Sequence, residues 1–421
     1  MFKKTILKNG LRIVTFPMEG TRTVTVLVMV ATGSKYETKK INGISHFLEH
    51  MIFKGTQKRP TTLDITEAID RVGGEYNAFT SKEYTGYYAK VTSKYRGLIM
   101  DIISDIFLNS TFNSEEIKKE RGVITEELNM YLDTPAAYIS DLFEELLYGD
   151  QPAGWLTIGS KENIKLLNRN DLLNYFKKQY VASNTVILVT GDIDEMKAIS
   201  EVKEYFKSIR EGEYKDKLPV KELQDRAKSL IHYKKTDQTH FCLGTRAYAI
   251  NSKDYFVLQV LASILGGGMS SRLFTEVREK RGLAYSIHCS SENFTDVGYL
   301  VVQAGVNNSK VNESVKVVLD EFCKIKDRKV PNKELTKAKE YIKGKMLLSL
   351  ESSSAVAFWL GHQEILKREI LTVDQIFKKI DAVTPDGVQR VANDIFQNNK
   401  LNFAVIGPFR DKDKFDKILR I

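Results

Sequence analysis

The sequence is poor in the features that mark several large classes of protein. Three cysteines in 421 residues, Cys242, Cys289 and Cys323, are odd in number and form no Cys-x-x-Cys pair. A disulfide framework is therefore not expected, and a reducing compartment is favoured. Long hydrophobic runs are missing: the longest apolar stretch, around residues 24–31, is far short of the roughly 20 residues that a membrane-spanning helix needs. The opening segment MFKKTILKNGLRIVTF has neither an apolar signal core nor a cleavage site, and reads as a charged amphipathic strand. Basic clusters are missing too. The formal charge is +9, but the lysines are spread along the whole chain without interleaved aromatics, which describes a solvated surface and not a nucleic-acid interface. These absences leave a cytoplasmic protein with no nucleic-acid or membrane partner. With 42% hydrophobic residues it can bury large cores, and its length suggests two or three domains.

Histidine is scarce as well, six in the chain, yet two fall within residues 43–55, GISHFLEHMIFKG. Wound as an α-helix, this stretch puts Ile44, Phe47, Leu48, Met51 and Ile52 on one face. His46, Glu49 and His50 take the other. Two imidazoles four residues apart can grip one metal ion, and the carboxylate before the second histidine lies beside them. The order His-x-x-Glu-His is the spacing of the inverted zincins, a zinc site with a general base attached. The plainer alternative is a solvated helix face that happens to hold two histidines.

A third ligand is sought on the helix that starts near Asn113, where Asn113 and Glu116 suit a capping box. Ile117, Ile124, Leu128 and Tyr131 form its apolar stripe. Glu120 and Glu127 sit two turns apart at the edge of that stripe, whereas Glu126 points nearly opposite, toward water. Carboxylates at the margin of a buried face are costly unless a cation or hydrogen bonds compensate them. Glu127 is therefore the expected third zinc ligand and Glu120 its supporting neighbour.

Around these helices the pattern alternates between strands and helices. Strands are expected at residues 11–16, 23–31 and 185–191, with strand-like alternation over 76–91; helices are expected at 62–72, 93–107, 170–179 and 195–209. A polar, heavily charged segment at 211–225 reads as a linker between a domain of residues 1–210 and one of residues 226–421. The second half resembles the first: Thr66 and Glu67 fall against Thr275 and Glu276, and the helix at 335–350 takes the place of the one at 116–132. Each half is then a sheet with helices packed on it. At a shift of 209 residues, His46, Glu49 and His50 meet Tyr255, Leu258 and Gln259, so the second half keeps the architecture without the metal site. Its chemistry-bearing candidates are Arg278 and Tyr285, a guanidinium and a phenol seven apart across a helix end, suited to binding substrate and stabilising an oxyanion. Three glycines at 266–268 lack the spacing of a phosphate loop and suggest close backbone approach.

Four stretches taken together, NGISHFLEHMIFKGT, GGEYNAFTSKEYTGYYAKV, ERGVITEELNMY and GGGMSSRLFTEVREKRGLAYS, resemble the pitrilysin-type zinc peptidases. Within that family they are most similar to the short bacterial relatives of the mitochondrial processing peptidase. The resemblance implies an α/β (α+β) fold of two homologous domains, each a mixed, mainly antiparallel sheet with helices, closing as a clamshell round a chamber. It implies one zinc ion held by His46, His50 and Glu127, with Glu49 as base and Glu120 as auxiliary carboxylate. Arg278 and Tyr285 match the family's second-domain pair, and Asn77, Ala78 and Phe79 would bind an extended peptide. The expected activity is metalloendopeptidase hydrolysis of peptides or unfolded polypeptides by a monomer or homodimer. A non-catalytic partner subunit of a peptidase complex is the alternative.

Overall fold

The computed structural model describes residues 1–411 and 413–421. The chain forms two compact units, each with its own sheet. The first comprises residues 1–130, 155–218 and 348–370; the second comprises residues 131–154, 219–347 and 371–421. The passage at 218–219 lies within the polar segment 211–225. The two exchanged segments, 131–154 and 348–370, were not foreseen from the sequence.

The strands of the first unit are β1 (Lys3–Ile6), β2 (Arg12–Pro17), β3 (Thr23–Val30), β4 (Glu75–Thr80), β5 (Thr85–Thr92) and β6 (Thr185–Gly191), in spatial order β1-β2-β6-β3-β5-β4. Only β2 and β6 run parallel. The central strand β6, TVILVTG, is buried at every position, which is why it reads as an uninterrupted apolar run and not as an alternation. At the margin, β4 pairs with β5 alone among the described residues and presents its other edge unpaired by them. The helix Ser353–Lys367, near the far end of the sequence, packs Val356, Ala357 and Leu360 against Leu27, Met29 and Leu188. Gly361 permits that approach, since a Cβ there would lie 2.4 Å from the Met29 sulfur.

In the second unit the strands are β7 (Lys228–Tyr233), β8 (Gln238–Ala247), β9 (Ala284–Asn293), β10 (Gly298–Asn307) and β11 (Leu401–Gly407), in order β7-β11-β8-β10-β9. Matching β7, β11, β8, β10 and β9 to β2, β6, β3, β5 and β4 reproduces the same neighbours and the same single parallel pair. The duplication suggested by the sequence is thus a duplication of topology. Here the face opposite the main helices is covered by the helix Pro135–Tyr148, whose Ile139, Leu142, Phe143 and Leu147 join Cys242, Tyr299 and Ala404. Each sequence half therefore supplies a helix to the unit built mostly from the other.

Of the first four α-helices of the chain, the first and the last carry the site. The four are α1 (Ile44–Ile52), α2 (Thr62–Asp70), α3 (Arg96–Asn109) and α4 (Ser114–Leu132). On α1, Ile44, Phe47, Leu48, Met51 and Ile52 are at most 1% exposed, the stripe that its periodicity predicts. Asn113 begins α4 by accepting from the Glu115 and Glu116 amides, at 2.8 and 3.4 Å. The reciprocal half of the expected capping box is not made: the Glu116 side chain instead pairs with Lys119. No helix among the described residues is long and apolar enough to cross a membrane.

Candidate metal centre

Helices α1 and α4 bring together three of the expected ligands. His46 Nε2 lies 3.6 Å and His50 Nε2 3.2 Å from the two oxygens of Glu127. Ligand atoms of all three residues fall within 4.8 Å of one another. Zinc bonds of about 2.0–2.1 Å in a tetrahedron separate neighbouring ligand atoms by about 3.3 Å, so the two nitrogen–oxygen distances bracket the edge that such an ion requires. Two neutral nitrogens and one carboxylate oxygen are also a donor set that zinc accepts, with a fourth position left over for water or substrate.

The register of α4 decides which glutamates take part. Glu127 is 39% exposed at the side chain and Glu120 only 7%, while Glu126 is exposed. Glu120 reaches back to α1 instead of joining the ligand cluster. One of its oxygens is 3.1 Å from His50 Nδ1, and the other is 2.6 Å from Lys54 Nζ. This places a carboxylate on the far nitrogen of an expected ligand imidazole, holding the ring so that Nε2 faces Glu127. Lys54 was not foreseen, although it lies four residues beyond His50 on the same face of the chain's path, a spacing that could have signalled it. His46 has no such support: its Nδ1 is buried and has no hydrogen-bond partner among the described residues.

The site favours positive charge. Burial works against a protonated His50, but hydrogen bonds to Glu120 and Glu127, with the charges of Glu127 and Glu49, outweigh it and raise the imidazole to about 9. Glu127 is held far below the ordinary carboxylate range, first by its hydrogen bonds to His46 and His50. For Glu120, burial is overcome by its bonds to His50 and Lys54, and its carboxyl is also depressed. A cluster of carboxylates around two imidazoles gains from a cation, whether that cation is a proton or a metal ion. Glu49 differs from its neighbours in making no hydrogen bond or ion pair among the described residues, which leaves its carboxylate available to accept a proton.

The remaining expected residues fall in two places. Asn77, Ala78 and Phe79 lie on the edge strand β4, with the Asn77 side chain accepting from the Ala78 amide at 2.8 Å. Arg278 and Tyr285 belong to the second unit and meet there: the guanidinium donates to the Tyr285 carbonyl at 2.6 Å and lies 5.2 Å from its ring. Arg278 also covers the Phe274 ring at 4.8 Å, within a π-helical turn at Phe274–Glu279. That leaves the Tyr285 side chain outward, and the residue is 78% exposed.

Known proteins resemble this chain in both sequence and fold. Residues 12–160 match the family model described as insulinase (peptidase family M16), and residues 166–342 match the peptidase M16 inactive domain. The chain is 37% identical to the uncharacterized zinc protease YmxG of Bacillus subtilis over 411 residues, 97% of this chain and 98% of that one. It is 36% identical to the uncharacterized zinc protease SCO5738 of Streptomyces coelicolor over 419 residues, 97% of this chain and 90% of that one. Among solved structures, a protease from Helicobacter pylori superposes with a TM-score of 0.91 at 26% identity, covering 97% of this chain and all of that one.

Proposed function

The chain belongs to peptidase family M16, the insulinase family, and from that premise we propose that it is a zinc-dependent endopeptidase cleaving peptides or unfolded polypeptides in the manner of a processing peptidase. The observation that carries the proposal is the convergence of His46, His50 and Glu127 within 4.8 Å, on a helix whose Glu49 carboxylate makes no hydrogen bond or ion pair among the described residues. In this reading His46, His50 and Glu127 hold one zinc ion per chain, and Glu120 orients His50 from behind. Zinc, when bound, supplies Lewis acidity that polarises a scissile carbonyl and lowers the pKa of a bound water toward about 7.

The residues of the chain do the rest. Glu49 accepts the proton of the attacking water and returns it to the leaving amine. The free edge of β4, at Asn77, Ala78 and Phe79, receives the substrate as an added strand, so that main-chain hydrogen bonds hold peptides of varied sequence. Such pairing requires an extended segment, which favours oligopeptides and unfolded chains over folded proteins. Tyr285 donates to the substrate carbonyl oxygen as it becomes negative, and Arg278 holds the substrate backbone. The three cysteines are free, in keeping with our reading of a cytoplasmic protein; we take it to work as a monomer or homodimer.

The test is Glu49→Gln, assayed on a peptide library with metal content measured in parallel. The amide cannot accept the proton but leaves the histidines in place, so zinc should be retained and hydrolysis lost. Turnover near that of the wild type in a zinc-loaded variant would end the assignment of Glu49 as the base.

A further inference from the structure

The metal-bearing helix α1 has no capping side chain of its own. Its N-cap is Gly43, at φ 98°, a position from which a Cβ would lie 2.6 Å from the Ile158 carbonyl oxygen. The first amides of a helix need partners from elsewhere. Here they come from Glu37, six residues upstream. One Glu37 oxygen accepts from the Gly43 amide at 2.8 Å and from the Asn42 side-chain nitrogen at 3.0 Å; the other accepts from the Ser45 amide at 2.8 Å. Ser45 is itself held by the Tyr175 hydroxyl at 3.0 Å, and that hydroxyl also meets Thr32 at 2.9 Å.

Glu37 is in turn fixed to the β4–β5 hairpin. The Ser34 and Lys35 amides donate to the Ser81 and Lys82 carbonyls, at 3.2 and 2.9 Å. Lys35 and Glu83 form an ion pair at 2.9 Å in which neither side chain is more than 2% exposed. Segment 33–37 thus joins the turn of the hairpin that bears Asn77, Ala78 and Phe79 to the first turn of the helix that bears His46, Glu49 and His50.

Glu37 is only 4% exposed, and the groups that act on its carboxyl are neutral donors with no cation among the leading ones. Gly43 leaves no room for a capping serine or threonine, since its φ and the close Ile158 carbonyl exclude a Cβ, so the acceptor for these amides has to come from outside the helix. A buried carboxyl that reaches in from segment 33–37 and spreads its two oxygens over three donors suits a role in holding the first turn of the helix in one position. We propose that Glu37 is a positioning residue: by gathering the Gly43, Asn42 and Ser45 donors it fixes the first turn of α1, hence the direction of the His46 and His50 rings, and so sets the affinity of the site for zinc. The proposal rests on the zinc-site reading above.

The experiment is zinc titration of the full-length wild type, Glu37→Gln and Asn42→Ala against a chromophoric chelator, with circular dichroism confirming fold at the same temperature. Glu37→Gln presents an amide NH₂ to amide donors and should weaken zinc binding about 10- to 100-fold, the range for groups that orient metal ligands. Asn42→Ala leaves the two backbone bonds to Glu37, removes one bond to Glu37 and a second to the Leu156 carbonyl, and should weaken zinc binding roughly fivefold, the worth of the one hydrogen bond lost from Glu37. Zinc affinity equal to the wild type in a folded Glu37→Gln protein overturns the proposal, even if its melting temperature falls, because that outcome is what a purely structural cap would give. If Glu37→Gln does not fold, unchanged affinity in Asn42→Ala overturns it. A wild type that fails to bind zinc removes the zinc-site reading itself, a separate and recognisable failure.

Discussion

Replacing Glu120 by glutamine isolates what a carboxylate does when it touches a ligand and not the metal. In the wild type its oxygens lie 3.1 Å from His50 Nδ1 and 2.6 Å from Lys54 Nζ. The glutamine oxygen can still accept from His50, but the bond is no longer charge-assisted and loses about half its strength. Its NH₂ group then faces the Lys54 ammonium, donor against donor. Zinc affinity should fall about 10- to 100-fold, or about 1.4–2.7 kcal/mol. Glu127→Gln, which alters a ligand directly, should lose far more, and Glu126→Gln on the exposed side of α4 should bind as the wild type does. Chelator competition at fixed pH, together with metal content per chain after dialysis, orders the three. Equal loss in the Glu120 and Glu127 variants would make Glu120 a ligand and refute the division of roles. Zinc loss in the Glu126 variant would mean that the register of α4 is wrong.

Two further outcomes are expected. Tyr285→Phe should lower kcat by a factor of about 100 to 1,000, the usual cost of losing an oxyanion donor, with zinc content unchanged; full activity would assign that role to another residue. Burial lifts Glu37 to about 7 from its ordinary 4.5, against the hydrogen bonds from Ser45 and Gly43. Between those values the folded chain keeps a proton that the unfolded chain releases, so stability is lost as pH rises. In urea unfolding with chelator present, the wild type should lose about 3 kcal/mol relative to Glu37→Gln between pH 4.5 and pH 7, and a difference that grows in the other direction would contradict the burial of an unpaired carboxylate.

Much of the candidate metal centre was legible because its signals are local. In α1, a five-residue apolar stripe and a polar triad on the opposite side share nine residues, and both follow from one helical period. On α4 the same geometry separated Glu120 and Glu127 from Glu126. What the sequence hid depends on partners distant in the chain. Nothing in the loop around Glu37 announces that its carboxylate is buried, because the donors that surround it are mostly backbone amides. The apolar faces of the helices Pro135–Tyr148 and Ser353–Lys367 can be read, but periodicity does not say which of two similar sheets each will cover. The short strand β1, with no buried position, lacks the apolar alternation by which strands are found.

The duplicated architecture also bears on whether the metal is structural. In the second unit the helix Tyr255–Gly266 follows β8 and precedes β9 and β10, the place that α1 holds between β3 and the β4–β5 pair. Where α1 has Glu49, this helix has Leu258, fully buried; where α1 has His50, it has Gln259, whose amide bonds Ser291 and Asn293 of β9 at 2.8 and 3.0 Å. The same layered unit is thus built once with the candidate metal-site residues and once with an apolar contact and an amide anchor in their place. In the first unit the hydrophobic face of α1 is complete without the histidines, and its N-terminus is held by Glu37. Folding of that unit therefore draws on burial and capping and not on coordination, unlike small zinc domains that unfold when the metal is removed. Dialysis against a strong chelator should leave the far-ultraviolet circular dichroism and the cooperative unfolding transition in place, with the midpoint lowered only by the binding energy of the lost ion. Peptide hydrolysis should disappear and return on adding zinc. Loss of secondary structure on chelation would show that the ion holds α1 to α4, and would turn the site from a catalytic one into a clamp.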